Sequence, residues 1–416
     1  MTRWVAHTLT LEQPSLAIPN YKKAFDLRSR VSERERLYIE GMYYLNVTGE
    51  MEKAVQVLRE HVQAYPNDAD AHGWLGETLN QLGQWDKSAV ECRESLRLNP
   101  DEGEIASFII GDDLLLNRLD EAKAVYEQGR ARKLQNGFPD SIMYSLAFAE
   151  GDATGMQQYF DASMGKPGIE DILLIMRSDD ESYCGRLGKA REFSQRAAES
   201  ARKNGAKETT ALWQAHAALR EAEFGNAVEA SRQAEAALSL TPGRDVRVLA
   251  AMALARAGNT TEVTKLADRL NQEFPLDTLM QRNVLPTIRA MLALSRGQGE
   301  QALKLLAETS EYELAIPQAF NTTQPTMHPI YVRGQAYLKA GQGQQAVAEF
   351  QQMIAFRWME YPLRALARLQ LGRAYAMQGD SAKAKAAYQD FLTLWKDADP
   401  DIPILKEAKA EYGKLQ

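Results

Sequence analysis

The chain has 416 residues, of which 45% are hydrophobic and 25% charged, as in a folded protein large enough for several domains or one extended array. Its formal charge of −7 argues against a direct nucleic-acid ligand, because proteins that neutralise phosphates concentrate Lys and Arg on one face. No run approaches the roughly 18 apolar residues that a bilayer span needs, and residues 1–19 have too weak an apolar centre for a secretory signal. We therefore expect a cytoplasmic protein that binds neither nucleic acid nor membrane.

Taken in chain order, the hydrophobic spacing predicts helices throughout, arranged as successive pairs. The stretch before residue 32 reads as the second helix of a pair whose first helix is missing, and the final "IPILKEAKAEYGKLQ" predicts an amphipathic helix that caps the last pair. The predicted pairs lie at 32–66, 69–100, 103–134, 138–163, 168–204, 207–241, 243–275, 277–308, 327–356 and 363–396.

The pairs repeat at a nearly constant period. Pro66 and Pro100 are 34 residues apart, and Gly334 and Gly372 are 38 apart. A period of 34 with a small residue in each helix, a turn glycine and a closing proline is the tetratricopeptide pattern. A large side chain at the small positions would separate the two helices of a pair. The structural positions are Gly76, Gly334 and Gly372 in first helices, Ala54, Ala346 and Ala384 in second helices, and Pro66 and Pro100 at helix ends.

The predicted fold is an all-α, right-handed superhelical α-solenoid of tetratricopeptide-like helix pairs with a C-terminal capping helix. Pro286 is expected to kink the first helix of the 277–308 pair. The predicted parts are an atypical N-terminal segment with an unpaired helix (1–31), an N-terminal array (32–204), degenerate central repeats (205–308), a long loop (309–329), and C-terminal pairs with the capping helix (330–416).

Several phrases outside the repeat pattern carry a more specific resemblance. They include "KKAFDLRSRVSERERLYIEGMYY", "ALSLTPGRDVRVLAAMALARAG", "FPLDTLMQRNVLPTIRAMLAL" and "LWKDADPDIPILKEAKAEY". In this order they resemble the carboxy-terminal tetratricopeptide region of bacterial eukaryotic-like serine/threonine protein kinases, and similar regions follow winged-helix domains in bacterial transcription regulators. The resemblance covers nearly the whole chain and implies a regulatory or partner-binding array, normally fused to an effector domain.

The start of the chain departs from that family. "NYKKAFDLRSRVSE" has no preceding first helix, so the array is expected to begin in mid-repeat. We interpret this as a fragment, an alternative start or a remnant of a longer gene; the alternative is an atypical capping segment.

No catalytic constellation occurs in the sequence. The phosphate loop, strand lysine, catalytic loop and metal motif of a protein kinase are missing. The glycine clusters at 185–190 and 341–346 lack the Walker spacing and fall at predicted turns, and the five histidines show no metal-ligand spacing. We expect no enzyme activity, cofactor or metal in these residues, although a fused kinase domain in a longer chain is compatible with the resemblance.

The remaining candidate for function is the groove lined by the first helices, which in such arrays receives an extended peptide or a helix. The loop 309–329 either closes one end of that groove, presents Phe320 to a partner, or merely packs against neighbouring helices. We expect a protein-interaction scaffold in bacterial signalling; the alternative is the regulatory region of a serine/threonine kinase or of a DNA-binding regulator. The sequence leaves the partner and the oligomeric state open. The candidate partner-binding residues are Glu77, Asn80, Phe320, Tyr331, Gln335 and Arg373.

Overall fold

The computed structural model of the protein describes residues 14–132, 139–317, 327–356 and 362–415, and the side chains from residue 17 onward. Within these ranges the chain forms helices and turns with no β-strand. The predicted all-α solenoid of helix pairs is confirmed, and its handedness stays a prediction.

Twenty-two α-helices lie within the described ranges. They are α1 (Pro14–Asp26), α2 (Glu33–Tyr43), α3 (Met51–Ala64), α4 (Ala69–Gln81), α5 (Trp85–Leu98), α6 (Gly103–Leu115), α7 (Leu119–Arg132), α8 (Asp140–Glu150), α9 (Ala153–Ser163), α10 (Glu170–Tyr183), α11 (Leu187–Lys203), α12 (Lys207–Glu223), α13 (Ala227–Leu240), α14 (Arg244–Arg256), α15 (Thr260–Glu273), α16 (Leu285–Ser295), α17 (Gly299–Leu306), α18 (His328–Lys339), α19 (Gly343–Ala355), α20 (Pro362–Met377), α21 (Ser381–Leu394) and α22 (Pro403–Gly413).

The helices follow the predicted pairing. Helices α2 and α3 form the first pair, and the series continues to α20 and α21, with α22 as the capping helix. The chain divides into two compact units. Unit 1 comprises residues up to 166 with the short segments 274–279 and 314–316, and unit 2 comprises the rest. The five-part division made from the sequence stays a prediction.

Small residues allow the two helices of a pair to approach closely. A methyl group at Gly334 would lie 2.6 Å from the Phe350 ring, and one at Gly372 would lie 2.9 Å from the Tyr388 ring. At Gly76 it would overlap the sulfur of Cys92. The large side chain of the second helix therefore fills the space that glycine leaves on the first.

The other repeat positions have matching roles. Ala54, Ala346 and Ala384 are fully buried on their second helices. Pro66 and Pro100 each follow the residue that ends a second helix, where a proline cannot continue the hydrogen-bond pattern.

Replacing Gly334 by Ala is expected to lower the free energy of unfolding by about 1–3 kcal/mol, because the new methyl group must displace the Phe350 ring. Urea unfolding followed by far-UV circular dichroism measures the change. Gly413→Ala is the matched control, since a methyl group there meets no atom within 4 Å. Equal stability of the two variants would contradict the packing role of Gly334.

Pro286 is the second residue of α16, within a helical run that is continuous from residue 278 to 295. A π-helical turn, Met280–Val284, leads directly into α16. Proline has no N–H to donate to the helical hydrogen bonds, and a local change in their register is one way in which a helix accommodates it. The predicted irregularity is therefore present as a π turn that comes before the proline.

The helix expected to be unpaired packs against the next one. The Phe25 ring, at the end of α1, stacks on Tyr43 of α2 with the ring centroids 3.8 Å apart. The Arg28 guanidinium lies over the same ring and its Nε is 3.2 Å from a carboxylate oxygen of Glu40. Helix α1 thus covers part of α2 in unit 1.

The capping helix α22 packs within unit 2. Its Leu405 and Ala408 are buried, and its Glu411 accepts a 2.7 Å hydrogen bond from the Tyr388 hydroxyl of α21. The Ile404 N–H donates to the backbone oxygen of Phe224, directly after α12. The last helices of unit 2 therefore return to its early helices, α10 and α12.

Candidate functional site

In unit 2, two of the residues predicted to line a groove, Tyr331 and Arg373, are engaged within the chain. Tyr331 is 1% exposed, and its hydroxyl accepts a 3.3 Å hydrogen bond from Gln370. Arg373 forms two hydrogen bonds of 2.8 and 2.9 Å to the Glu411 carboxylate and a third of 3.1 Å to Glu407. Helices α20 and α22 thus occupy the positions that a partner would contact.

The interior of unit 2 holds a cluster of buried charged side chains. Arg220 donates to Asp179 at 2.8 Å, and Arg256 donates to Glu223 at 3.0 Å. These pairs compensate part of the cost of removing charges from water. The enclosed space beside them is about 10 Å³, roughly one water molecule, so it is too small for a metabolite. Its lining consists of Asp179, His216, Arg220, Glu223, Pro362 and Leu363.

Two further candidates belong to other parts of the chain. Gln335 is half-buried in α18, and its side-chain oxygen has no hydrogen-bond partner among the described residues. Phe320 lies outside the described residues. The first part of the predicted loop, residues 309–313, packs on unit 2, since Glu313 lies 2.8 Å from Arg333 and the Tyr312 backbone oxygen accepts a hydrogen bond from Asn283.

In unit 1, Asn80 links neighbouring repeats. Its amide donates a 2.8 Å hydrogen bond to Asp112 of α6, and the Ser88 hydroxyl of α5 donates to the same carboxylate at 2.6 Å. Burial raises the pKa of Asp112 to about 7. Asn80 is therefore engaged in holding α4, α5 and α6 together.

Glu77 is the candidate whose charged group has no hydrogen-bond or ion-pair partner among the described residues. It is half-buried on α4. Aromatic side chains lie near it: the hydroxyls of Tyr21 and Tyr38 are close enough for the Glu77 charge to act on them, and the Tyr38 ring packs on that of Trp74 with the centroids 4.1 Å apart. The carboxylate thus lies beside an aromatic cluster drawn from α1, α2 and α4.

Local sequence explains how α4 presents these groups. Asp70, Trp74 and Glu77 are spaced four and three residues apart, which places them on one side of a helix. The side chain of Asp68 accepts from the Ala71 N–H and fixes the start of that helix. We call the surface formed by Tyr21, Tyr38, Asp70, Trp74, Glu77 and Glu104 the first-helix face of unit 1.

This face carries negative charge. Burial, Asp70 and then Glu77 raise the pKa of Tyr38 to about 12. Burial and then the Glu104 carboxylate raise the pKa of Glu77 to about 7. The exposed Asp70 and Glu104 therefore add to a surface on which a cation would favour the ionised form of Glu77.

Sequence reasoning selected Glu77 but did not select Tyr21, Tyr38 or Trp74. The signal that could have found Trp74 was its spacing from Asp70 and Glu77 on one helix face. No comparable local signal connects Tyr21 or Tyr38 to Glu77, because they lie on other helices.

Other kinds of site were searched for in the described ranges. Their side chains contain no group of three or more His, Cys, Asp or Glu arranged to hold a metal ion. None of the helices described here combines the length and the apolar character needed to cross a bilayer. Cys92 is a buried thiol whose pKa is raised, first by burial and then by Asp112.

Comparison with known proteins identifies the repeats. The sequence profile of the tetratricopeptide repeat matches residues 47–102 and 331–401, so the chain contains tetratricopeptide repeats in both units. The matched segments include α4, which carries Glu77, and α18 to α21 of unit 2. No curated protein matches the chain in sequence.

Solved structures give weaker similarities. Yeast Tom70 is 12% identical, with 99% of this chain and 94% of that chain covered and a TM-score of 0.38. The tetratricopeptide domain of P58(IPK) is 12% identical, with 92% and 98% covered and a TM-score of 0.27. A monomeric variant of IFIT1 is 16% identical, with 75% and 73% covered and a TM-score of 0.44. At TM-scores below 0.5, these similarities add nothing to the argument about the site.

Proposed function

We propose that the chain is a protein-interaction scaffold that binds an extended peptide or a helix of a partner on the first-helix face of unit 1. One observation carries this proposal. The Glu77 carboxylate lies near aromatic side chains and has no hydrogen-bond or ion-pair partner among the described residues. Tyr331 and Arg373 of unit 2 are engaged within the chain, which favours unit 1 as the binding surface. Stacked helical repeats commonly use such faces for peptide recognition.

The sequence supports a more specific biological context for this scaffold. The phrases that resemble the repeat region of bacterial serine/threonine kinases favour a non-catalytic, cytoplasmic scaffold in bacterial signalling. The alternative is the regulatory region of a kinase or of a DNA-binding regulator. Measuring the intact mass of the native protein from its source cells distinguishes these, because a mass well above 46.5 kDa would indicate a fused effector domain.

Site-specific photo-crosslinking tests the proposed face. A benzophenone amino acid placed at Asp70 or Glu104 is expected to give a discrete adduct with a protein partner in source cells. The same probe at Val90 or Val228, exposed positions on second helices, is the matched control and is expected to give none. Adducts only from the control positions, or none from any position, would overturn the proposal.

A further inference from the structure

We propose that Glu77, Tyr38 and Trp74 form a subsite for a lysine or arginine side chain of a basic partner peptide. This inference deepens the proposed function and rests on it. It assigns a chemical class to the partner, which the repeat architecture alone does not do.

The geometry suits a cation. The Tyr38 and Trp74 rings pack against each other, with their centroids 4.1 Å apart and 36° between their planes, and the ring faces that they do not turn towards each other can attract ammonium and guanidinium groups. The Glu77 carboxylate offers acceptors that no described residue uses. A lysine or arginine placed between the rings and the carboxylate would combine cation–π attraction with a charge-assisted hydrogen bond.

The surrounding charge fits a basic peptide rather than a single cation. The charge of Glu104, on α6, acts on Glu77, and that of Asp70, about two turns before Glu77 on α4, acts on Tyr38. Arg34, a cation on the adjacent α2, is committed to Asp68 through a 2.6 Å hydrogen bond. An acidic peptide would be repelled by the carboxylates of this face. A peptide with several cations would be attracted by the same carboxylates, those of Asp70, Glu77 and Glu104.

Glu77 is costly to the folded chain without such a partner. A carboxylate whose folded-state pKa is raised stabilises the fold below its ordinary pKa, and that contribution is lost as the pH rises through the folded value of about 7. Glu77→Gln is therefore expected to increase resistance to urea at pH 8 while weakening partner binding. A residue with a purely structural role would not improve stability and lose binding together.

Fluorescence anisotropy with the full chain tests the subsite directly. The probe is a short fluorescein-labelled peptide of alternating Lys and Ser, compared with matched Gln–Ser and Glu–Ser peptides. The Lys–Ser peptide is expected to bind, and Glu77→Gln is expected to weaken it at least about tenfold through the lost charge-assisted bond. Glu127→Gln, which removes an exposed carboxylate of α7 away from the proposed face, is expected to leave the affinity unchanged.

Two variants of Tyr38 distinguish the contribution of its aromatic ring to binding from that of its hydroxyl. Tyr38→Phe keeps the aromatic face and is expected to retain binding, whereas Tyr38→Leu removes it and is expected to weaken binding severalfold. Absent binding of the Lys–Ser peptide, or equal loss in the Glu77 and Glu127 variants, overturns the subsite. Preferential binding of the Glu–Ser or Gln–Ser peptide also overturns it but leaves the scaffold proposal standing. Only the crosslinking result at Asp70 and Glu104 decides that broader proposal.

Discussion

Replacing Trp395 by Ala is expected to lower the free energy of unfolding of unit 2 by about 3–5 kcal/mol, as for other large aromatic truncations in cores. Trp395 is 2% exposed. Its ring packs 5.2 Å from that of Phe224 and 4.7 Å from that of Phe391. Its indole N–H donates a buried 2.9 Å hydrogen bond to the backbone oxygen of Tyr183, which would be left without that donor.

The position of Trp395 makes the loss more than local. It directly follows α21 and contacts the ends of α10 and α12, and the neighbouring Asp399 N–H donates to the Gly185 backbone oxygen at 3.0 Å. Both contacts join residues about 200 positions apart in the sequence. They hold the end of α21 and the segment after it against the early helices of unit 2. Hydrogen exchange of α20 to α22 is therefore expected to accelerate in the variant.

Two matched variants sharpen this test. Trp395→Phe keeps most of the ring but removes the indole N–H, and is expected to cost about 1–3 kcal/mol. Val228→Ala, at a side chain that is 87% exposed in the same unit, is expected to change stability by less than about 0.5 kcal/mol. Urea unfolding provides the measurement. A Trp395→Ala variant as stable as Val228→Ala would show that the return contact contributes little.

The helix pairs could be predicted because their signals are local. Gly334, Gly372 and the turn glycines recur with the repeat, and each marks a contact between helices adjacent in sequence. The return of α21 and α22 to α10 and α12 has no such signal. It depends on the number of helix pairs in the unit and on contacts between residues about 200 positions apart, such as the hydrogen bond from the Trp395 indole to the Tyr183 backbone oxygen.

The candidate residues show the same limit. The sequence predicts which side of α4, α18 or α20 a polar residue faces, but not whether another helix already supplies its partner. Arg373 meets Glu411 of α22, and Asn80 meets Asp112 of α6. Glu77 has the same kind of position but no described partner. Partner binding by Glu77 and by the other candidate residues stays a prediction.

Acidification is expected to destabilise unit 2 through its buried histidines. His216 and His328 are 3% and 1% exposed. Burial, with Arg220 adding to it and Asp179 opposing it, lowers the pKa of His216 to about 4. Burial, then Arg256 and His216, lower the pKa of His328 to about 3.

The direction of this pH effect depends on whether the folded or the unfolded chain binds the proton more readily. The unfolded chain protonates each histidine near its ordinary pKa of 6.5, whereas the folded chain keeps His216 neutral down to about pH 4. Stability is therefore full above pH 6.5 and falls as the pH drops towards 4. For His216 alone the loss is roughly 3 kcal/mol at one pKa unit per 1.36 kcal/mol. Glu77 and Asp112 in unit 1 have raised pKa values and act in the opposite direction.

Comparing His216→Gln with the wild-type chain isolates this contribution. At pH 8 the His216 side chain is neutral in both the folded and the unfolded wild-type chain. The difference in unfolding free energy between wild type and variant therefore reports only the packing cost of the substitution. Between pH 8 and pH 4 the wild type is expected to lose roughly 3 kcal/mol more than the variant, because glutamine takes up no proton in the unfolded state. Hydrogen exchange of α12 assigns the change to unit 2. Stability curves that run parallel over this range would mean that the folded chain protonates His216 as readily as the unfolded one, and that its burial is relieved before the proton binds.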